Sequence, residues 1–201
     1  MHELAPQNNP RSSRTWLPTV AVGLAALAAY WMVSSKAKKE LVTVNIDPID
    51  NFEVERFVGD WYEIARIEHG VGKPLTRSRV EYEMDDDGSL SIVSRGFHTG
   101  TNRWVEARGT ARFVGSPNFG AMKASFFGPF YEGYHIVAID SDYQWAMVMG
   151  DTADSFRLLS RKPVLDGATA DRLVYQAEKM GVEADRIHWV MQDGVNPTGL
   201  W

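Results

Sequence analysis

Apolar and polar positions alternate through much of the second half of the chain. Residues 78–84 set Val80, Tyr82 and Met84 against Arg79, Glu81 and Glu83, the period of two expected of a strand with one buried face. An Asp-Asp-Asp-Gly turn at 85–88 leads into a return strand at 90–97. Comparable segments recur at 61–67, 103–114, 120–127, 134–140, 144–150 and 155–161. Turn residues stand between them, at Gly115-Ser116-Pro117, Gly128-Pro129, Glu132-Gly133 and 140–142. Eight short strands joined by short loops predict an antiparallel up-and-down barrel. The period then changes. Leu173, Val174, Ala177 and Met180 form one helical stripe over 171–180, with Gly181 as its stop. That stripe must pack on the outside of the barrel, and 186–192 reads as a short final strand.

The N-terminal part follows neither pattern. Residues 15–35 carry no charge, and 16–33 are almost wholly apolar, with Trp16 at one end and Tyr30-Trp31 at the other. About 20 helical residues cross a bilayer core, and interfacial aromatics belong at its two faces. An uncleaved transmembrane anchor is the favoured reading. A cleaved signal peptide is the rival, because Ala26-Leu27-Ala28 offers a small-x-small site. The chain then divides into a hydrophobic segment at 1–35, a linker at 36–50, a barrel at 51–192 and a tail at 193–201.

Composition narrows the chemistry. The 201 residues are 44% hydrophobic and 11% aromatic, enough for a packed core, and the net charge of -5 with no basic stripe argues against a nucleic-acid partner. Cysteine is absent, which excludes disulfides, thiolate metal sites, cysteine nucleophiles and a cysteine-linked lipid anchor. The five histidines, His2, His69, His98, His135 and His188, lack metal-site spacing, so no metal and no cofactor are expected. No serine has a base placed beside it in an evident motif, and no catalytic residue is assigned.

Three motifs occur in order: Gly59-Asp60-Trp61, then Asp140-Ser141-Asp142-Tyr143, then Arg161 in Leu-Leu-Ser-Arg-Lys-Pro. With the run from Ser125 to Asp140, they resemble the lipocalin family, and most closely its bacterial and apolipoprotein D-like branch. The resemblance implies an eight-stranded barrel with one C-terminal helix, closed at its base by Trp61 beneath the Arg161 guanidinium, with Gly59 passing beside them. It also implies a binding protein rather than an enzyme. The ligand class is a fatty acid or lysophospholipid, carried or stored for membrane lipid maintenance in a bacterial cell envelope, with the barrel on the periplasmic side. A pigment or tetrapyrrole carrier is the first alternative, and a barrel-based enzyme on an apolar substrate, with Glu63 as an inward acid, the second. A homodimer is left open.

Alternation nominates the ligand-facing wall: Val80, Tyr82, Met84, Ile92, Ala111, Phe113, Phe126, Tyr134 and Ile136, with Leu90, Met122 and Ala124 as neighbours. Lys73, Arg77 and Arg79, read as part of a loop over 69–79, are the cations expected to meet a charged ligand head.

Overall fold

The computed structural model describes residues 46–68 and 75–193. In chain order they form α1 (Val54–Phe57), β1 (Gly59–Ile67), β2 (Leu75–Met84), β3 (Leu90–His98), β4 (Arg103–Phe113), β5 (Met122–Phe127), β6 (Phe130–Gly133), β7 (His135–Ile139), β8 (Trp145–Met149), β9 (Arg157–Ser160), α2 (Gly167–Lys179) and β10 (Ile187–Trp189). The strands are antiparallel neighbours in the order β6-β5-β4-β3-β2-β1-β9-β8-β7. The two ends of that order are one stretch of chain. β6 pairs with β5 and β7 with β8, and the link through Tyr134 keeps its own bonds, Tyr134 N–H to the Met122 carbonyl and Ile136 N–H to the Gly120 carbonyl, both 2.8 Å. The sheet therefore closes on itself, which removes its free edges.

The expected sixth strand is thus a kinked pair of strands. Glu132-Gly133, read as a turn, lies at the end of β6, where the Gly133 N–H donates to Asp151. Sequence alternation fixes the phase elsewhere. Val80, Ser94 and Ala107 are cross-strand neighbours on the inner face, as are Tyr82, Ile92 and Gly109, and Leu90, Ala111 and Ala124. On the outer face Arg95 bridges Glu81 (3.0 Å) and Glu106 (2.8 Å) across three strands, the opposite-charge pairing that suits a solvated sheet face.

The amphipathic helix covers the outside of the barrel. Asp166 caps α2 by accepting from the Thr169 N–H at 2.9 Å, and Gly181 follows it with φ +85°. Ala170, Leu173 and Ala177 are buried on its inner side, and Leu173 and Ala177 share a core with Ala138, Trp145, Met147 and Leu158. β8 is consequently buried on both faces, which explains its unbroken apolar run. A second core lies inside the barrel and contains Phe52, Phe57, Trp61, Tyr82, Leu90, Met122 and Ile136.

β1 and β2 separate above Tyr62, and the C-terminal segment fills the gap. β10 pairs with Ala65–Ile67, the Val190 N–H donates to the Ile64 carbonyl, and the Arg77 N–H donates to the Met191 carbonyl. The buried Gln192 side-chain amide then ties the Glu63 and Ser78 carbonyls together, at 2.9 and 3.2 Å. Residues 46–50, read as the end of a linker, lie against the barrel: Ile49 exchanges backbone hydrogen bonds with Ile136 and Gly120.

The hydrophobic segment at 1–35 lies outside the described residues, as do Lys73 and most of the tail. Among the described residues no helix is long and apolar enough to cross a membrane.

Candidate ligand-binding site

One end of the barrel is shut by a compact stack. Gly59 adopts φ +97°, a conformation that glycine takes without strain, and this carries the chain from α1 into β1. Trp61 is fully buried and donates from Nε1 to the Phe57 carbonyl at 2.7 Å. The Arg161 guanidinium lies 3.8 Å from the centre of the Trp61 ring. It also donates to the carbonyls of Arg56 and Asp60, both at 2.8 Å, and of Phe57 and Val58, both at 3.0 Å. Arg161 thus satisfies the carbonyls left open where α1 ends while covering the indole.

Aromatic rings fill the space above the stack. Phe57 lies 5.3 Å from both Phe52 and Trp61 and 4.7 Å from Tyr82, and Phe52 is 6.3 Å from Phe113. Tyr143 braces this end: its hydroxyl accepts from the Glu53 N–H at 2.8 Å, and Arg56 lies over its ring.

The nominated wall residues occupy different levels of this interior. Val80, Tyr82, Ile92, Ala111, Tyr134 and Ile136 are buried in the inner core, with Phe113 and Phe126 half-buried against it. Phe126 lies against Gly109 on the neighbouring strand, where a Cβ would come within 2.8 Å of both the ring and the Ser125 carbonyl. Met84 is not gathered with the rest. It is 39% exposed, because β2 reaches the closed end there and the wall has no interior left to face.

The cations sit elsewhere than expected. Arg77 and Arg79 belong to β2, whose pairing runs past a bulge to Leu75. Their guanidinium groups rest on Phe97 (5.1 Å) and Tyr62 (4.4 Å), and the Asp193 carboxylate approaches both. The barrel instead encloses two arginines that alternation did not nominate. Glu63, buried, receives Arg66 Nη1 at 2.6 Å on one oxygen and Arg157 Nη1 at 3.2 Å on the other. Arg66 also donates to Glu68, the Ser78 hydroxyl and the Leu75 carbonyl. Burial alone would raise the Glu63 carboxyl, but the two guanidinium groups outweigh it and hold that carboxyl below the usual glutamate range. Nearby, the Tyr82 and Tyr134 hydroxyls hydrogen-bond to each other. Burial pushes both phenols up, so both keep their protons.

An antiparallel barrel plugged at one end, with a helix on its outer wall and an interior lined from alternate positions, defines the class of barrels that take a small ligand inside. The chain belongs to the lipocalin family: residues 52–192 match the model of the lipocalin-like domain. It is 37% identical over 180 residues to the outer membrane lipoprotein Blc of Escherichia coli K12, covering 89% of this chain and 98% of that protein. It is 24% identical over 157 residues to apolipoprotein D of Bos taurus, covering 73% and 79% of the two. Among solved structures, the cockroach allergen Per a 4 superposes with a TM-score of 0.56 at 19% identity, over 73% of this chain and 92% of that one.

Proposed function

We propose that the chain binds and carries or stores a small hydrophobic ligand inside its barrel, with a fatty acid or lysophospholipid as the ligand class. The observation carrying this reading is the plugged base: Trp61 and Arg161 turn the barrel into a cup, and the inner wall above them is apolar on β2 to β5. A cup of this kind suits an acyl chain, which gains from leaving water along its whole length. Ile92, Ala111, Tyr134 and especially Phe126 are the wall residues best placed to touch it. The family relation to an outer membrane lipoprotein supports a role in membrane lipid maintenance at a bacterial envelope. The apolar segment at 16–33 serves as the tether on this reading, with the barrel on the periplasmic side.

The test is a titration of delipidated protein with a fluorescent fatty acid. Saturable one-to-one binding is expected, and Phe126→Glu weakens it while leaving the circular dichroism spectrum unchanged. Trp61→Ala instead lowers stability. Absence of saturable binding to any acyl ligand refutes the proposal.

A further inference from the structure

Arg157 differs from the arginines around it. Its guanidinium donates to Glu63 at 3.2 Å, and its charge also acts on the Tyr82 and Tyr134 phenols. Of that side chain, 28% stays accessible. Arg66 directs donors to Glu63, Ser78, Glu68 and Leu75, whereas Arg157 makes one hydrogen bond among the described residues, to Glu63. Most of a guanidinium's five donors are therefore unused, on a side chain whose remaining nitrogens stay accessible to a ligand. The phenol pair adds to this. One hydroxyl donates to the other, so the second keeps a hydrogen with no acceptor among the described residues.

We propose that Arg157 and the Tyr82–Tyr134 pair form an internal anion site, which takes the carboxylate of a long-chain fatty acid head-first into the barrel. The inference rests on the reading of the barrel as an acyl-ligand carrier. A planar guanidinium suits a carboxylate, giving paired charge-assisted hydrogen bonds, and the free phenol hydrogen can add a third. The packing sets the direction of the tail. Toward the base the rings of Phe52, Phe57, Trp61 and Tyr82 touch one another and leave no path. Away from the base, Ser94, Ala107 and Gly109 put little side-chain bulk on the inner wall, and Phe126 lies beside Gly109. The acyl chain then runs toward the far end of the barrel, where Phe127 and Phe130 are exposed. The charged group thus lies inside and the methyl end outermost, the reverse of a head held by cations at the entrance.

Binding of a fatty acid bearing pyrene at its methyl end, and of its methyl ester, is measured on the full chain at mildly alkaline pH. The wild type is expected to prefer the acid roughly 10- to 100-fold, the range for charged hydrogen bonds in an enclosed site. Arg157→Gln should abolish the preference by weakening the acid alone, and Tyr134→Phe should narrow it. If Arg157→Gln fails to fold by circular dichroism, Arg157→Lys and Tyr134→Phe decide, and an unchanged preference in both overturns the proposal. Equal binding of acid and ester by the wild type, or competition by a lysophosphatidylcholine as strong as by the free acid, also overturns it and leaves acyl carriage standing. Binding of neither probe refutes the carrier reading itself.

Discussion

Replacing Arg161 tests whether the base is held by one side chain. Arg161→Ala removes four charged hydrogen bonds to carbonyls and one guanidinium–indole contact. A charged hydrogen bond contributes about 1.5–3 kcal/mol when its loss leaves a buried group unmet. Arg161 is only partly buried, so water can reach some of the freed carbonyls, and the lower figure applies to one or two of the four. The cation–π contact adds about 1 kcal/mol. The expected loss is about 3 kcal/mol in all. With a urea slope of about 2 kcal/mol/M, the unfolding midpoint should fall by about 1.5 M. Arg161→Lys keeps the charge but has no plane to lay on the indole and a shorter reach among the carbonyls, so it should recover about half of the loss. Urea titration followed by far-ultraviolet circular dichroism reads both variants. A shift below about 0.3 M for Arg161→Ala, or a lysine variant as stable as the wild type, would contradict the reasoning.

Other consequences follow from the same geometry. The folded-state pKa of Glu63 lies below its unfolded value, so the unfolded chain binds the extra proton first in acid. The stability this carboxylate contributes is therefore present above the ordinary glutamate pKa and is lost as pH falls through the folded value. Urea midpoints measured from about pH 6 down to pH 3 should drop less steeply in Glu63→Gln than in the wild type, and matching slopes would show that Glu63 is not the group responsible. At neutral pH the same variant should be less stable by about 3 kcal/mol, since it leaves Arg66 and Arg157 facing each other without their shared carboxylate. Tyr143→Phe should cost about 1 kcal/mol by freeing the Glu53 N–H, read as a lower thermal midpoint, and a midpoint equal to wild type would mean that water replaces the hydroxyl.

Much of this protein was legible in the chain. Period-two alternation over 78–97 is enough to set Val80, Tyr82, Leu90 and Ile92 inward, because a slip of one residue would drive Glu81 and Glu83 into the core. Trp61 lies beneath the Arg161 guanidinium, a pairing that the family resemblance implied and local pattern did not, and the stripe of Leu173 and Ala177 had no surface to cover except the outer wall. The charged interior was hidden for local reasons. In the sequence from Trp61 to Ile67, strict alternation carries the inward phase from Glu63 to Ala65. The bulge between Glu63 and Ala65 shifts that phase by one and turns Arg66 inward instead. Around Arg157 the adjacent apolar Leu158 and Leu159 leave the phase undecided. α2 covers Leu158 from outside, so Leu159, and with it Arg157, faces the interior.

The seal between β1 and β2 was equally out of reach, because Gln192 meets Glu63 across 129 positions of chain. Local pattern thus determined the strands and the helix, since each depends on neighbours within a turn or two of sequence. The plugged base, by contrast, joins Arg161 to Asp60 across 101 positions and was implied only by the family resemblance. The bulges, the inserted C-terminal segment and the Glu63–Arg66–Arg157 cluster were decided only when the barrel closed. Their energy comes from contacts between distant segments, whose partners no local periodicity records.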